Sequence, residues 1–183
     1  MGRPKADLRY EGQTFLERAL EALCAACLDP IVLVVDAQRA AVTTALDSRH
    51  IIVNHEPARG QLSSLKLALR HLSAPPVTAA GVVVALVDHP LVAASTVGAL
   101  VHAARAGDHS ILLPSYRGRR GHPVVFMRAV WDELLDTPDD LGARAVVRRD
   151  AGRVGNVPVD DPGILVDIDT PADLAALITR DDD

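Results

Sequence analysis

Lysine is nearly missing from this chain: of its 183 residues only Lys5 and Lys66 carry an ammonium, and every other strong cation is an arginine. Such a bias beside abundant Ala and Val reflects a GC-rich genome rather than a physical demand. A formal net charge of -5 leaves no basic face for a nucleic acid or an anionic membrane, which turns attention to small-molecule partners. The longest apolar run, Gly81–Val87, falls far short of the roughly 20 residues that cross a bilayer. No apolar signal core stands at the N-terminus, so the expected location is the cytoplasm. Cysteine is confined to Cys24 and Cys27; with no second pair to complete a zinc tetrahedron, this C-x-x-C is expected on or near the buried stripe of a helix. No G-x-G-x-x-G follows any strand-like run, which disfavours a dinucleotide-binding redox protein.

What is present is a hydrophobic fraction of 49% and a charged fraction of 23%, enough at this length for a real core in a single domain spanning 1–183. Apolar runs at Ile31–Val35, Ile51–Val53, Gly81–Val87, Ile111–Leu113, Pro123–Phe126 and Ile164–Ile168 read as strands. The first and third are continuous rather than alternating, as in parallel strands covered on both faces. Helical patterns run through Thr14–Cys27, Gln38–Ser48, Ser63–Leu72, Ala94–Ala106, Arg128–Leu135, Leu141–Arg149 and Thr170–Arg180. Thr14 with Glu17 and Thr170 with Asp173 are capping boxes, and Pro171 suits a first helical position. The alternation predicts an α/β fold: a three-layer, doubly wound, mostly parallel sheet. Pro114–Gly121 and Arg149–Gly163 read as irregular connections.

In such a sheet ligands sit beyond the carboxyl ends of the strands. The run GVVVALV ends in Asp88-His89-Pro90, and ILVDID ends in Asp169 just before Thr170-Pro171. Alternation along a strand places Asp167 and Asp169 on one face. Alone, each strand-end carboxylate reads as a turn or cap residue. Together they suit Mg²⁺, which takes one or two carboxylates plus substrate phosphates.

Five segments in order, Met1-Gly-Arg-Pro-Lys5, Gly60-Gln-Leu-Ser-Ser-Leu, Val87-Asp-His-Pro-Leu-Val, Gly121-His-Pro-Val-Val-Phe and Asp167-Ile-Asp-Thr-Pro-Ala-Asp-Leu, resemble the motifs of the MobA-like NTP transferases. Within that family the chain is most similar to molybdenum cofactor cytidylyltransferases. The resemblance implies a nucleotidyltransferase that moves a nucleoside monophosphate from an NTP, CTP favoured over GTP, to a phosphorylated acceptor such as molybdopterin, with pyrophosphate released. Charge neutralisation and alignment dominate such chemistry. It further implies that Lys5 lies against the triphosphate, that Gly2, Gly60, Ser63, Ser64 and Asp88 bind the nucleotide, and that Asp88 and Asp169 hold Mg²⁺, with Asp167 the weaker claimant. His122, preceded by Arg117, Arg119 and Arg120, would receive an anionic acceptor. His55 and His89 have no comparable case.

Family members place a strand and the first half of a glycine-rich loop before Met-Gly-x-Pro-Lys. On this resemblance Met1–Lys5 is the second half of a triphosphate-binding loop, and a natural product longer by about fifteen residues is expected. The other reading is a non-catalytic nucleotide-binding or regulatory protein that kept the fold without the loop.

Overall fold

The computed structural model describes residues 4–37 and 50–179. The expected helix Gln38–Ser48, together with Met1, Gly2 and Arg180, lies outside the described residues. A short hairpin, β1 (Arg9–Tyr10) with β2 (Gln13–Thr14), leads into α1 (Phe15–Ala25). The helix starts where its capping box requires. Thr14 Oγ1 accepts from the Glu17 amide at 3.1 Å, and the Glu17 carboxylate accepts from the Thr14 amide at 2.7 Å, satisfying two amides that the first turn would otherwise leave orphaned. The expectation for the cysteines is corrected: both are exposed. Cys24 lies about 200° around the helix from buried Ala22, and Cys27 falls beyond the helix end at φ 54°.

Strands β3 (Leu33–Asp36) and β4 (Ile51–Asn54) pair in parallel, and α2 (Gln61–Ser73) packs on both. The remaining strands form a mixed sheet: β5 (Gly81–Val84), β6 (Ile111–Tyr116), β7 (Arg119–Arg120), β8 (Val124–Met127) and β9 (Val154–Pro158). Here β6 is central, antiparallel to β8 and parallel to β9, and β5 lies antiparallel on the far side of β8. The α/β class is as expected, with two antiparallel pairings around β8. Among the described residues no strand joins β3 to β5, and both strands are only partly buried along their length.

Side-chain alternation sorts the mixed sheet into two covered faces. Ile111, Leu113, Val124 and Phe126 meet Leu62, Leu65, Leu69 and Leu72 of α2 and Trp131 and Leu134 of α4 (Trp131–Asp136). Leu112 and Val125 face the other way, against Leu100 of α3 (Ala94–Ala106). The chain is completed by α5 (Arg144–Arg149) and α6 (Pro171–Thr179). The expected strand Ile164–Ile168 is instead a 3-10 turn, Pro162–Leu165, followed by extended chain. It makes single bonds, His122 N to Ile164 O at 3.1 Å and Ile168 N to Asp88 O at 2.8 Å, in place of a ladder.

A carboxylate in α4 ties that helix to α5 and the segment after it. Arg153 donates to both oxygens of Glu133, at 2.5 and 2.8 Å, and to Val146 O, while Arg149 lies 2.8 Å from Oε1. The hydrogen bonds from Arg153, opposed by burial, hold the Glu133 carboxyl below its ordinary 4.5. A group whose folded pKa is depressed contributes stability above its unfolded value and loses it as pH falls through the folded one. E133Q is therefore expected to lower unfolding stability at pH 7 by about 1–2 kcal/mol and to flatten the acid decline that begins near pH 4.5. Urea titrations at pH 7 and pH 3 check both effects, and a variant with wild-type stability at pH 7 would contradict them.

Candidate active site

Beyond Val84 the chain leaves β5 and turns through Asp88 and His89. The Ile168 amide bonds to the Asp88 carbonyl at 2.8 Å, so the segment before α6 runs beside this turn. Ile168 is buried, while Asp167 and Asp169 on either side are exposed. Lys5 comes from a 3-10 turn, Lys5–Asp7, at the other end of the chain. Its ammonium donates to Asp88 Oδ2 at 3.2 Å and to Asp169 Oδ1. Burial pulls the Lys5 pKa down, and the two carboxylates together outweigh it, raising it above its ordinary value. Asp88 Oδ1 is buried and accepts no hydrogen bond.

Asp88 and Asp169 therefore meet at one cation, the Lys5 ammonium, although neither closes a strand, and Asp167 takes no part in that contact. Two carboxylates and a buried lone pair suit a hard divalent ion completed by waters and phosphate oxygens. Among the described residues no group of three or more His, Cys, Asp or Glu side chains is placed to hold a metal.

His122 reaches this corner through His89, which the sequence reading left without a role. The two imidazoles lie 4.8 Å apart, tilted by 39°. Both Nδ1 atoms are buried without a partner. Burial is the main cause holding both rings below the ordinary 6.5, against the pull of Asp88 and Asp167; His89 further lowers His122. Both are neutral near pH 7 and can donate or accept a hydrogen bond there. Gly121 makes the placement possible, since a Cβ on it would sit 2.1 Å from Ile164 O. The arginines before it belong to a hairpin, with Tyr116 opposite Arg119 and Ser115 opposite Arg120. Arg117 stacks over Tyr116 and Arg120 donates to Asn156.

Gly60, Ser63 and Ser64 form a second cluster, at the carboxyl end of β4. Gly60 adopts φ 94°, a left-handed value that suits glycine, between a 3-10 turn (Pro57–Arg59) and the start of α2. Asn54, 2% exposed, organises the cluster. Its Nδ2 donates to Ser63 Oγ at 3.0 Å and to Ser64 Oγ at 2.9 Å, and its Oδ1 accepts from the Glu56 amide. Ser63 spends its hydrogen on Gly60 O at 2.7 Å. The Ser64 hydroxyl, which accepts from Asn54, keeps a hydrogen to offer a ligand. Sequence reasoning missed Asn54; its one signal was a polar residue closing the run Ile51–Val53.

The chain matches the family described as the MobA-like NTP transferase domain over residues 1–154. It is 33% identical to nicotine blue oxidoreductase of Paenarthrobacter nicotinovorans over 189 residues, covering 97% of this chain and 90% of that protein. The crystal structure of Rv0371c from Mycobacterium tuberculosis H37Rv superposes with a TM-score of 0.83 at 30% identity, covering 98% of this chain and 90% of that one. For its manganese complex the values are 0.80 and 29%, with 96% and 91% covered. Molybdopterin-guanine dinucleotide biosynthesis protein A from Archaeoglobus fulgidus shares the fold, with a TM-score of 0.68 at 20% identity and 99% and 92% covered.

Because Asn54 supports three hydrogen bonds from a buried position, N54A is expected to destabilise the fold by about 2–3 kcal/mol. Chemical denaturation checks the value. A loss below about 0.5 kcal/mol would show that the cluster holds without it.

Proposed function

Because the chain belongs to the MobA-like NTP transferase domain family, we propose that it is a cytoplasmic nucleotidyltransferase. The whole chain acts as one domain, moving a nucleoside monophosphate from an NTP, CTP in preference, to a phosphorylated small molecule such as molybdopterin. The observation that carries this reading is the meeting of Lys5, Asp88 and Asp169 at a single charge. An acceptor phosphate oxygen forms a bond to the α-phosphorus, the bond from that phosphorus to the α–β bridging oxygen breaks, and pyrophosphate leaves. No covalent enzyme intermediate is needed, so the protein's work is alignment and neutralisation.

Asp88 and Asp169 would hold Mg²⁺, which when bound neutralises triphosphate charge and polarises the reacting phosphoryl group. The manganese complex of Rv0371c is in keeping with a divalent ion in this fold. Lys5 supplies a point charge to phosphate oxygens. Gly60 allows close backbone approach, the Ser64 hydroxyl donates to base or ribose, and Ser63 fixes the turn. Gly2 would join the phosphate loop. His122, with His89 against it, would hold the acceptor through a neutral imidazole.

A second reading draws on the relative named an oxidoreductase, whose identity of 33% spans nearly the whole chain. It requires an electron donor and a reducible acceptor. The two neutral imidazoles would then order the acceptor.

The deciding assay follows pyrophosphate release from CTP and GTP with Mg²⁺ and molybdopterin. D88N is expected to cut turnover by about 10²–10³-fold while the melting temperature stays near wild type. S64A should raise the KM for NTP and H122A the KM for acceptor. Reduction of nicotine blue by NADH or NADPH without any pyrophosphate release would favour the second reading. CTP binding without either reaction would identify a non-catalytic binding protein.

A further inference from the structure

The segment carrying Gly60, Ser63 and Ser64 is gripped from outside by a residue the reaction does not use. Asp139 opens the 3-10 turn Asp139–Leu141 between α4 and α5, and its side chain is 11% exposed. Arg59, the residue before Gly60, donates Nε to Asp139 Oδ2 at 2.8 Å, with Nη2 2.7 Å from the same oxygen. Lys66, two residues after Ser64, brings its ammonium to 2.8 Å from Asp139 Oδ1. The same ammonium donates to Thr137 O at 2.6 Å. Lys66 is itself 9% exposed. One carboxylate thus meets both cations that flank the turn, across 80 residues of sequence on one side.

The grip continues inward. Arg59 Nη1 donates to Glu56 Oε2 at 2.9 Å, and the Glu56 amide donates to Asn54, which holds both serines. The backbone oxygen of Asp139 also lies 4.0 Å from where a Gly60 Cβ would stand. Glycine at φ 94° gives this turn more freedom than any other residue would. The Lys66 side of this contact is shielded and the Arg59 side is 56% exposed; ion pairs of either kind add little net stability, so what this one offers is a fixed geometry for the turn between its two cations.

We propose that Asp139 is a positioning residue that holds the turn Gly60–Ser64 from both flanks, through Arg59 and Lys66, in the geometry that receives the nucleotide. What the turn receives rests on the nucleotidyl-transfer reading. That the turn is held does not.

The test compares the full chain with D139N and with R59Q, which breaks the same contact from its more exposed side. Amide hydrogen exchange of the free proteins is read alongside calorimetry with CTP and GTP. Both variants are expected to exchange the amides of residues 60–64 at least tenfold faster, with protection in α3 and β6 unchanged. The dissociation constant for CTP should rise about tenfold with kcat at saturation retained, D139E should recover part of the affinity, and the double variant should lose no more than either single one. Unchanged exchange at the turn overturns the proposal, as does an equal loss of protection throughout the protein. If the turn loosens as expected and the wild-type chain binds neither CTP nor GTP, the positioning role stands and the nucleotide reading falls.

Discussion

Two carboxylates brought together at the end of a sheet repel one another unless a cation stands between them. That constraint organises this molecule. Asp88 leaves the turn after β5, Asp169 leaves the segment before α6, and the hydrogen bond from the Ile168 amide to the Asp88 carbonyl sets the two stretches side by side. Lys5 answers both charges. The first and last described parts of the chain are thereby tied to its middle by one ammonium, in a protein that has only two. An ammonium held between two carboxylates can turn to phosphate oxygens when a metal takes over the carboxylates, which is the exchange that the proposed chemistry would use.

The rest of the fold presents this corner. Alternating side chains give β6 and β8 two apolar faces, one under α2 and α4 and one under α3. The sheet is therefore held from both sides while its loops carry the polar groups. Glycines allow those loops to touch: Gly121 against the Ile164 carbonyl and Gly163 against the Leu91 carbonyl, where a Cβ would fall 2.1 and 2.2 Å away. These approaches draw the His122 loop and the Asp169 segment onto the turn that bears Asp88 and His89. The two imidazoles lose water there, which keeps them neutral beside Asp88 and Asp167. The nucleotide-side cluster is built by a different device, a buried amide that orders two hydroxyls.

Much of this was legible beforehand where local pattern and local structure coincide. The helix Ala94–Ala106 matches its expected bounds, and α1 begins at its capping box. Asp88 and Asp169 stood out only as a pair, each closing an apolar run, since alone either reads as a turn or cap residue. What escaped has a physical reason in each case. Strand β9 contains Gly155 and ends on Pro158, both strand breakers by propensity; it forms because the missing Cβ of Gly155 admits the side chains of Leu112 and His109, within 2.8 and 2.9 Å of that position. The run Ile164–Ile168 has the apolarity of a strand, but among the described residues no strand pairs with it. The apolar periodicity that suggested a buried stripe for Cys24 and Cys27 outruns the helix, which ends at Ala25; Cys24 turns to its exposed side and Cys27 falls after it. Asn54, His89 and Asp139 act through partners as far as 80 residues away, and no periodicity or spacing encodes such contacts.

The central claim is that Asp88 and Asp169 share one divalent ion in company with a nucleotide. Titrating Mn²⁺ into the protein by electron paramagnetic resonance, with and without CTP, tests it most directly. The account predicts one Mn²⁺ per chain, bound much more tightly with CTP present and lost in both D88N and D169N. Mn²⁺ binding that is indifferent to CTP and to both substitutions would contradict it.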